Sequence, residues 1–201
     1  MSGGVSRRGF LLAGAAGVAG LGGGFAVGST RPSAEEPNAA DGGFCIDMST
    51  HHVQAMAMCQ RVLGRDTGDA VQAAAAEVLQ TQSIEVGTMR AWLTDWGEST
   101  SAPDTVMAWM GMNWGEGIPT EAMTGFASDD DMRELSLAQG IERGRLWLQL
   151  MRAHHVGGVH MATAAVDLVD LEKVRRLART QVEVQTYEIA QYNLLLAAEY
   201  A

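Results

Sequence analysis

The sequence predicts an all-α protein, an antiparallel four-helix bundle assembled from two tandem helical hairpins. Three observations carry that prediction. Methionine and alanine fill the apolar quota of the 201 residues: there are 12 Met, with 47% hydrophobic but only 6% aromatic residues and few β-branched runs, a balance that favours helix over a β-sandwich. Phe44–Leu93 lies over Trp147–Leu196 at one constant offset without a gap, the mark of an internal repeat. Within each copy, apolar residues recur at steps of three and four, the period of a helix with one buried face. The length suits one domain with a sizeable core.

Taken in order, the chain opens on an address. Ser6-Arg7-Arg8-Gly9-Phe10-Leu11-Leu12 sets a twin arginine before an apolar, glycine-rich stretch, so residues 1–28 read as a twin-arginine-type export signal. Ala26-Val27-Gly28 supplies small residues for cleavage near Gly28, with an uncleaved N-terminal anchor as the alternative. The expected location is therefore extracellular, periplasmic or in the cell envelope. Residues 29–43, with Pro32 and Pro37, read as a flexible spacer before a bundle domain over residues 44–199. Beyond residue 30 no stretch offers the roughly 18 apolar residues of a membrane span. A formal charge of -10 argues against a nucleic-acid partner, which calls for a basic footprint.

The repeat units, 44–93 and 147–196, each hold two helices. In the first helix Met48, His52, Ala55, Met56, Cys59 and Leu63 fall on one face. Gly64-Arg65-Asp66-Thr67-Gly68 breaks the chain, with Asp66 or Thr67 as cap. The second helix, from about Asp69 to Trp96, aligns Ala75, Val78, Gln82, Glu85, Val86, Met89 and Leu93. Residues 97–127 form a linker with a short helix near Thr105–Met112. Ser128-Asp129-Asp130-Asp131 then caps a third helix that runs, kinked at Gly140, to about Val166. Asp170 is placed to cap the fourth.

The repeat reproduces polar residues inside the apolar stripes. Met48 falls on Met151, His51 and His52 on His154 and His155, Met58 on Met161, Gln82 on Gln185, and Glu85 on Glu188. Adjacent histidines on a helix lie about 100° apart and flank a single inward direction, which Met48 and Met56 bracket in the first copy. His160 lies opposite Met151 and reads as solvent-facing. A bare carboxylate at Glu85 or Glu188 needs a cation, a metal or a histidine partner. Two readings follow: a buried hydrogen-bond network that fixes hairpin register, or a metal site. Imidazole suits copper, zinc or iron, and thioether favours copper(I), so copper leads, with iron or zinc as alternatives. The metal ligands expected are His51, His52, His154, His155, Met48 and Met151. Glu85, Glu188, Gln82, Gln185, Met58 and Met161 stand behind them or join them. Met107, Met110 and Met112, interleaved with Trp109 and Trp114, form either an apolar lid or a weak copper(I) cluster. Cys45 and Cys59, about 21 Å apart along a continuous helix, cannot bridge each other.

These same residues resemble a known family, the exported helical proteins called domain of unknown function 305 (DUF305). The matching pieces are Met48-x-x-His51-His52-x-x-Ala55-x-x-Met58 and Gln82-x-x-Glu85-Val86-x-x-Met89-x-x-Trp92-Leu93, then Met151-x-x-His154-His155-x-x-Gly158-x-x-Met161 and Gln185-x-x-Glu188-Ile189. Met123-Thr124-Gly125-Phe126-Ala127-Ser128 is similar to the family's linker. The resemblance implies a ferritin-like four-helix bundle, mostly exported, with copper binding in some members. Tyr192 stands where the first copy has Met89, so the two halves differ in donors. Neither half has the Glu-x-x-His pattern of di-iron enzymes, which argues against oxygen activation. The function expected is therefore a non-enzymatic, exported metal binder, with no catalytic residues assigned. A structural bundle without metal and a ferritin-like oxidoreductase are the alternatives, and a homodimer is compatible with the sequence.

Overall fold

In the computed structural model of the chain the described residues are 36–200; residues 1–28, read as an export signal, and residues 29–35 of the spacer lie outside them. Five helices dominate: α1 (Ala39–Val62), α2 (Asp69–Trp96), α3 (Asp129–Leu137), α4 (Gly140–Leu168) and α5 (Glu172–Ala198). Tight turns at residues 63–68 and 169–171 fold α1 onto α2 and α4 onto α5, giving the two hairpins the repeat predicts. The hairpins meet chiefly through α1 against α4. Met48 packs in one apolar cluster with Met161, while Met58 packs in a second with Met151. Early residues of one helix thus meet late residues of the other, as an antiparallel crossing requires.

Several local expectations are corrected. Helix α1 begins at Ala39, so residues 39–43 of the span read as spacer are helical. The reason lies in two residues of that span. Asn38 caps α1 in a reciprocal box with Asp41, and buried Asp41 also accepts the backbone N–H groups of Asp170 (3.3 Å) and Leu171 (3.1 Å). Asp41 takes the N–H groups of the two residues that precede α5, where Asp170 makes no side-chain cap and Leu171 occupies the cap position. Neither Asp66 nor Thr67 caps α2, whose cap is Gly68. The Thr67 hydroxyl is engaged by Gln72 (2.6 Å) and its carbonyl by Tyr200 (2.7 Å).

The buried face of α1 also differs from a single stripe. Met58 and Val62 are buried, while Met56 and Leu63 are half-buried. Helix α1 is covered by α2 on one side and α4 on another, so its buried arc is wide and centred between His51 and His52. The third helix is two: Ala138 and Gln139 are extended and Gly140 takes φ +56°, a left-handed conformation suited to glycine, which ends α3 and starts α4 in a new direction. The linker holds no α-helix near Thr105–Met112. It forms a two-stranded ribbon, β1 (Thr105–Val106) with β2 (Ile118–Pro119), around two single-turn 3-10 segments. Among the described residues no helix is long and apolar enough to cross a membrane.

Removing the Asp41 carboxylate leaves three backbone donors unpaired at the junction of α1 with the α4–α5 turn. Asp41→Ala is expected to lower unfolding stability by about 2–3 kcal/mol, with Asp41→Asn in between, measured by urea denaturation. An Asp41→Ala midpoint equal to that of the parent would refute this anchor.

Candidate functional site

The four histidines of the repeat motifs form one buried layer at the crossing of α1 and α4. His51 and His154 stack with ring centroids 3.5 Å apart and planes 23° from parallel. His52 and His155 flank them at 6.4 and 6.3 Å from their respective neighbours. All four side chains are fully buried. His160 is exposed, as expected.

Three of these rings have one nitrogen committed. His52 Nε2 meets Glu85 Oε2 at 2.6 Å, and His155 Nε2 meets Glu188 Oε2 at 2.7 Å. His154 Nε2 lies 2.9 Å from the His51 carbonyl oxygen, which only accepts, so that nitrogen carries the proton and Nδ1 keeps its lone pair. The Nδ1 atoms of all four rings, and Nε2 of His51, are buried without a partner. Burial, followed by the neighbouring imidazoles, holds the His51 and His154 pKa values well below the usual histidine range, so both rings are neutral at neutral pH.

The amide that serves the acids is not one the repeat points to. Gln82 and Gln185 are buried, but neither side chain hydrogen-bonds to a histidine or to an acid. Instead Gln181 on α5 donates to Glu85 Oε2 at 2.8 Å. Its counterpart in the first copy is Val78, so the repeat gives no signal for it. Gln185 occupies space beside α4 that exists because residue 158 is glycine; a Cβ there would collide with Gln185 Oε1.

The thioethers divide between the two ends of the core. Met48 and Met161 share one cluster with Met89, Met107, Met123 and Cys45. Met151 and Met58 share the other with Cys59, Trp147 and Tyr192. Met48 and Met151 therefore lie on opposite sides of the histidine layer. The linker trio is not gathered: Met107 is buried and Met110 half-buried, but Met112 is 36% exposed and Trp114 is 98% exposed, because the tip of the ribbon turns into solvent. Met123 joins the buried set unforeseen. Met107 is held in place by Asp47, a residue the motifs do not mark, which accepts its backbone N–H (2.6 Å) and Trp109 Nε1–H (2.8 Å). Burial pushes the Asp47 carboxyl up to about 6, against these two hydrogen bonds. Both cysteines are free, and burial raises each thiol to about 12.

Among the described residues no three His, Cys, Asp or Glu side chains converge as a metal cage. The layer instead offers orphaned imidazole lone pairs beside thioethers, and a soft ion fits that donor set.

Because His51 and His154 bind protons less readily folded than unfolded, they contribute stability that is full above about pH 6.5, their unfolded pKa, and is lost as pH falls below it. In metal-free protein, urea midpoints are expected to fall on going from pH 7 to pH 5. The slope per group approaches about 1.4 kcal/mol per pH unit. His51→Gln with His154→Gln should flatten that slope; an unchanged slope would show that these rings are not held neutral.

Comparison with known proteins agrees with this architecture. The profile of the family described as domain of unknown function (DUF305) matches residues 41–196. A DUF305 protein of Streptomyces coelicolor, assigned as secreted, shares 40% identity and a TM-score of 0.72, over 79% of this chain and 92% of its own. A DUF305 fragment from Deinococcus radiodurans shares 26% identity and a TM-score of 0.67, over 81% of this chain and 98% of its own. CopM in its Cu(I)-bound form has the same fold at 20% identity, with a TM-score of 0.63 over 80% of this chain and 98% of its own. Among proteins of curated function, no sequence matches the chain. On the family profile and the 40% identical relative, this chain is a member of the DUF305 family.

Proposed function

We propose that this chain is an exported copper-binding bundle that stores, buffers or delivers the metal, with no reaction of its own. The observation that carries the reading is the set of five buried, unpartnered imidazole nitrogens. Buried polar atoms without partners are rare in folded proteins, and here they are concentrated in one layer. A histidine that ligates a metal through one nitrogen generally donates the other to a carboxylate or carbonyl. His52, His155 and His154 have that arrangement, through Glu85, Glu188 and the His51 carbonyl.

His51, His52, His154 and His155 are the imidazoles that would hold copper, with Met48 and Met151 as thioethers. Imidazole with thioether is a donor set that copper(I) accepts, and copper bound there would supply redox-active, exchangeable metal. Glu85 and Glu188 orient His52 and His155. CopM, of the same fold, is known in Cu(I)-, Cu(II)- and silver-bound forms, which supports the choice of metal. The other reading, a polar core that binds nothing, draws on the His51–His154 stack and the paired acids, which already fix the register of the hairpins.

Copper(I) is expected to raise the Tm of the purified protein, since a ligand of the folded state must do so. His51→Ala with His154→Ala, shown by circular dichroism to be folded, should take up no copper at this layer and show no shift. Equal uptake and an equal Tm shift in that variant would remove these residues from the site.

A further inference from the structure

Beside the histidine layer, α2 and α5 leave a narrow crevice between them. Glu85 and Glu188 both line it, with Gln82, Gln181 and Gln185. Each acid spends Oε2 on its histidine, and neither Oε1 accepts a hydrogen bond. Their side chains keep 13% exposure apiece, enough to reach solvent through the crevice. Among the described residues no lysine or arginine pairs with either acid. Two carboxylates lining one confined space with no lysine or arginine beside them give it a negative potential that favours a cation.

The amides give the second, independent indication. Gln82 and Gln181 are 4% and 1% exposed, and the Oε1 of each is buried without a partner. Gln181 already donates its Nε2–H to Glu85, which fixes that nitrogen and leaves the carbonyl oxygen as the free group. Oxygen acceptors with no donor, set beside two carboxylates, are what a hard cation satisfies and what a soft one does not. The crevice has room for about one water-sized sphere, enough for a single ion.

We propose that the α2–α5 crevice is an oxygen-donor site for a hard divalent cation of the calcium or manganese class, held by Glu85, Glu188, Gln82 and Gln181 and completed by water. The site uses oxygen atoms that the imidazole–thioether layer leaves free, and cation binding there does not require copper in the layer. Glu85 and Glu188 link the two, with Oε2 on an imidazole and Oε1 toward the cation.

The test is a titration of the metal-free full-length chain with Mn2+, followed by the loss of the free-ion EPR signal, with Ca2+ as competitor. Saturable Mn2+ binding that Ca2+ displaces is expected, weakened about tenfold or more in Glu188→Gln and in Gln82→Leu. Glu188→Gln keeps an acceptor for His155, and Gln82→Leu touches neither histidine pair, so both variants should fold. Asp130→Asn, an exposed acid on α3, should change nothing. Mn2+ affinity equal in the parent, Glu188→Gln and Gln82→Leu would assign the binding to surface acids and overturn the proposal, as would no binding at all. His51→Ala with His154→Ala should retain Mn2+ while losing copper. Loss of both would overturn the separate site, and retention of both would count only against the copper reading.

Discussion

Two neutral imidazoles lying face to face, 3.5 Å apart, at the point where α1 crosses α4 set the geometry of the whole bundle. His51 and His154 hold equivalent positions in the two repeats, so their contact is where a duplicated hairpin meets its copy. Each hairpin then presents the other with the same sequence of groups. The two histidine–glutamate pairs span the same separation of 33 residues, one within each hairpin. Because α1 and α4 cross antiparallel, Met48 faces Met161 and Met151 faces Met58, and the apolar core is divided into two ends by the polar layer.

That layer is costly. Fully buried rings with unpartnered nitrogens forgo hydrogen bonds they would make in water, at roughly 1–3 kcal/mol for each unsatisfied group. Packing of the flanking clusters offsets the cost, and Gly158 makes room for the Gln185 side chain against α4. A core selected for stability alone would replace these groups with leucine or valine. The ligand proposed for this layer would satisfy them in both repeats. The two ends are unequal in sulfur: the Met48 end gathers five methionines and Cys45, whereas Tyr192 takes the place of Met89 at the other. The Asp47 contacts that seat Met107 belong to the richer end as well.

The hairpins and the polar layer were legible because duplication writes them twice. Met-x-x-His-His and Gln-x-x-Glu survive at one offset, and a helical period turns each offset into a face. A residue that occurs in one copy alone carries no such signal. Gln181 stands against Val78, so the amide that reaches Glu85 broke the pattern used to find its neighbours. Asp41 and Asp47 lie in a run of small and apolar residues, and the partners that bury them, the α4–α5 turn and the ribbon, are distant in sequence. A single buried face includes Met56 and leaves out Met58, whereas α1 is covered on two sides and buries Met58 more deeply. Met112 was grouped with Met107 by proximity in sequence, although left-handed residues at Asn113 and Trp114 carry the ribbon tip into solvent.

The orphaned imidazole nitrogens of this layer are the proposed metal ligands, and one measurement bears on that assignment. X-ray absorption at the copper edge, on protein loaded with one equivalent of copper(I), addresses it directly. Copper held there should show the outer-shell scattering of imidazole together with a sulfur contribution from thioether, and should lose the imidazole signature in His51→Ala with His154→Ala. A coordination shell of oxygen alone, or an imidazole signature unchanged in that variant, would contradict it.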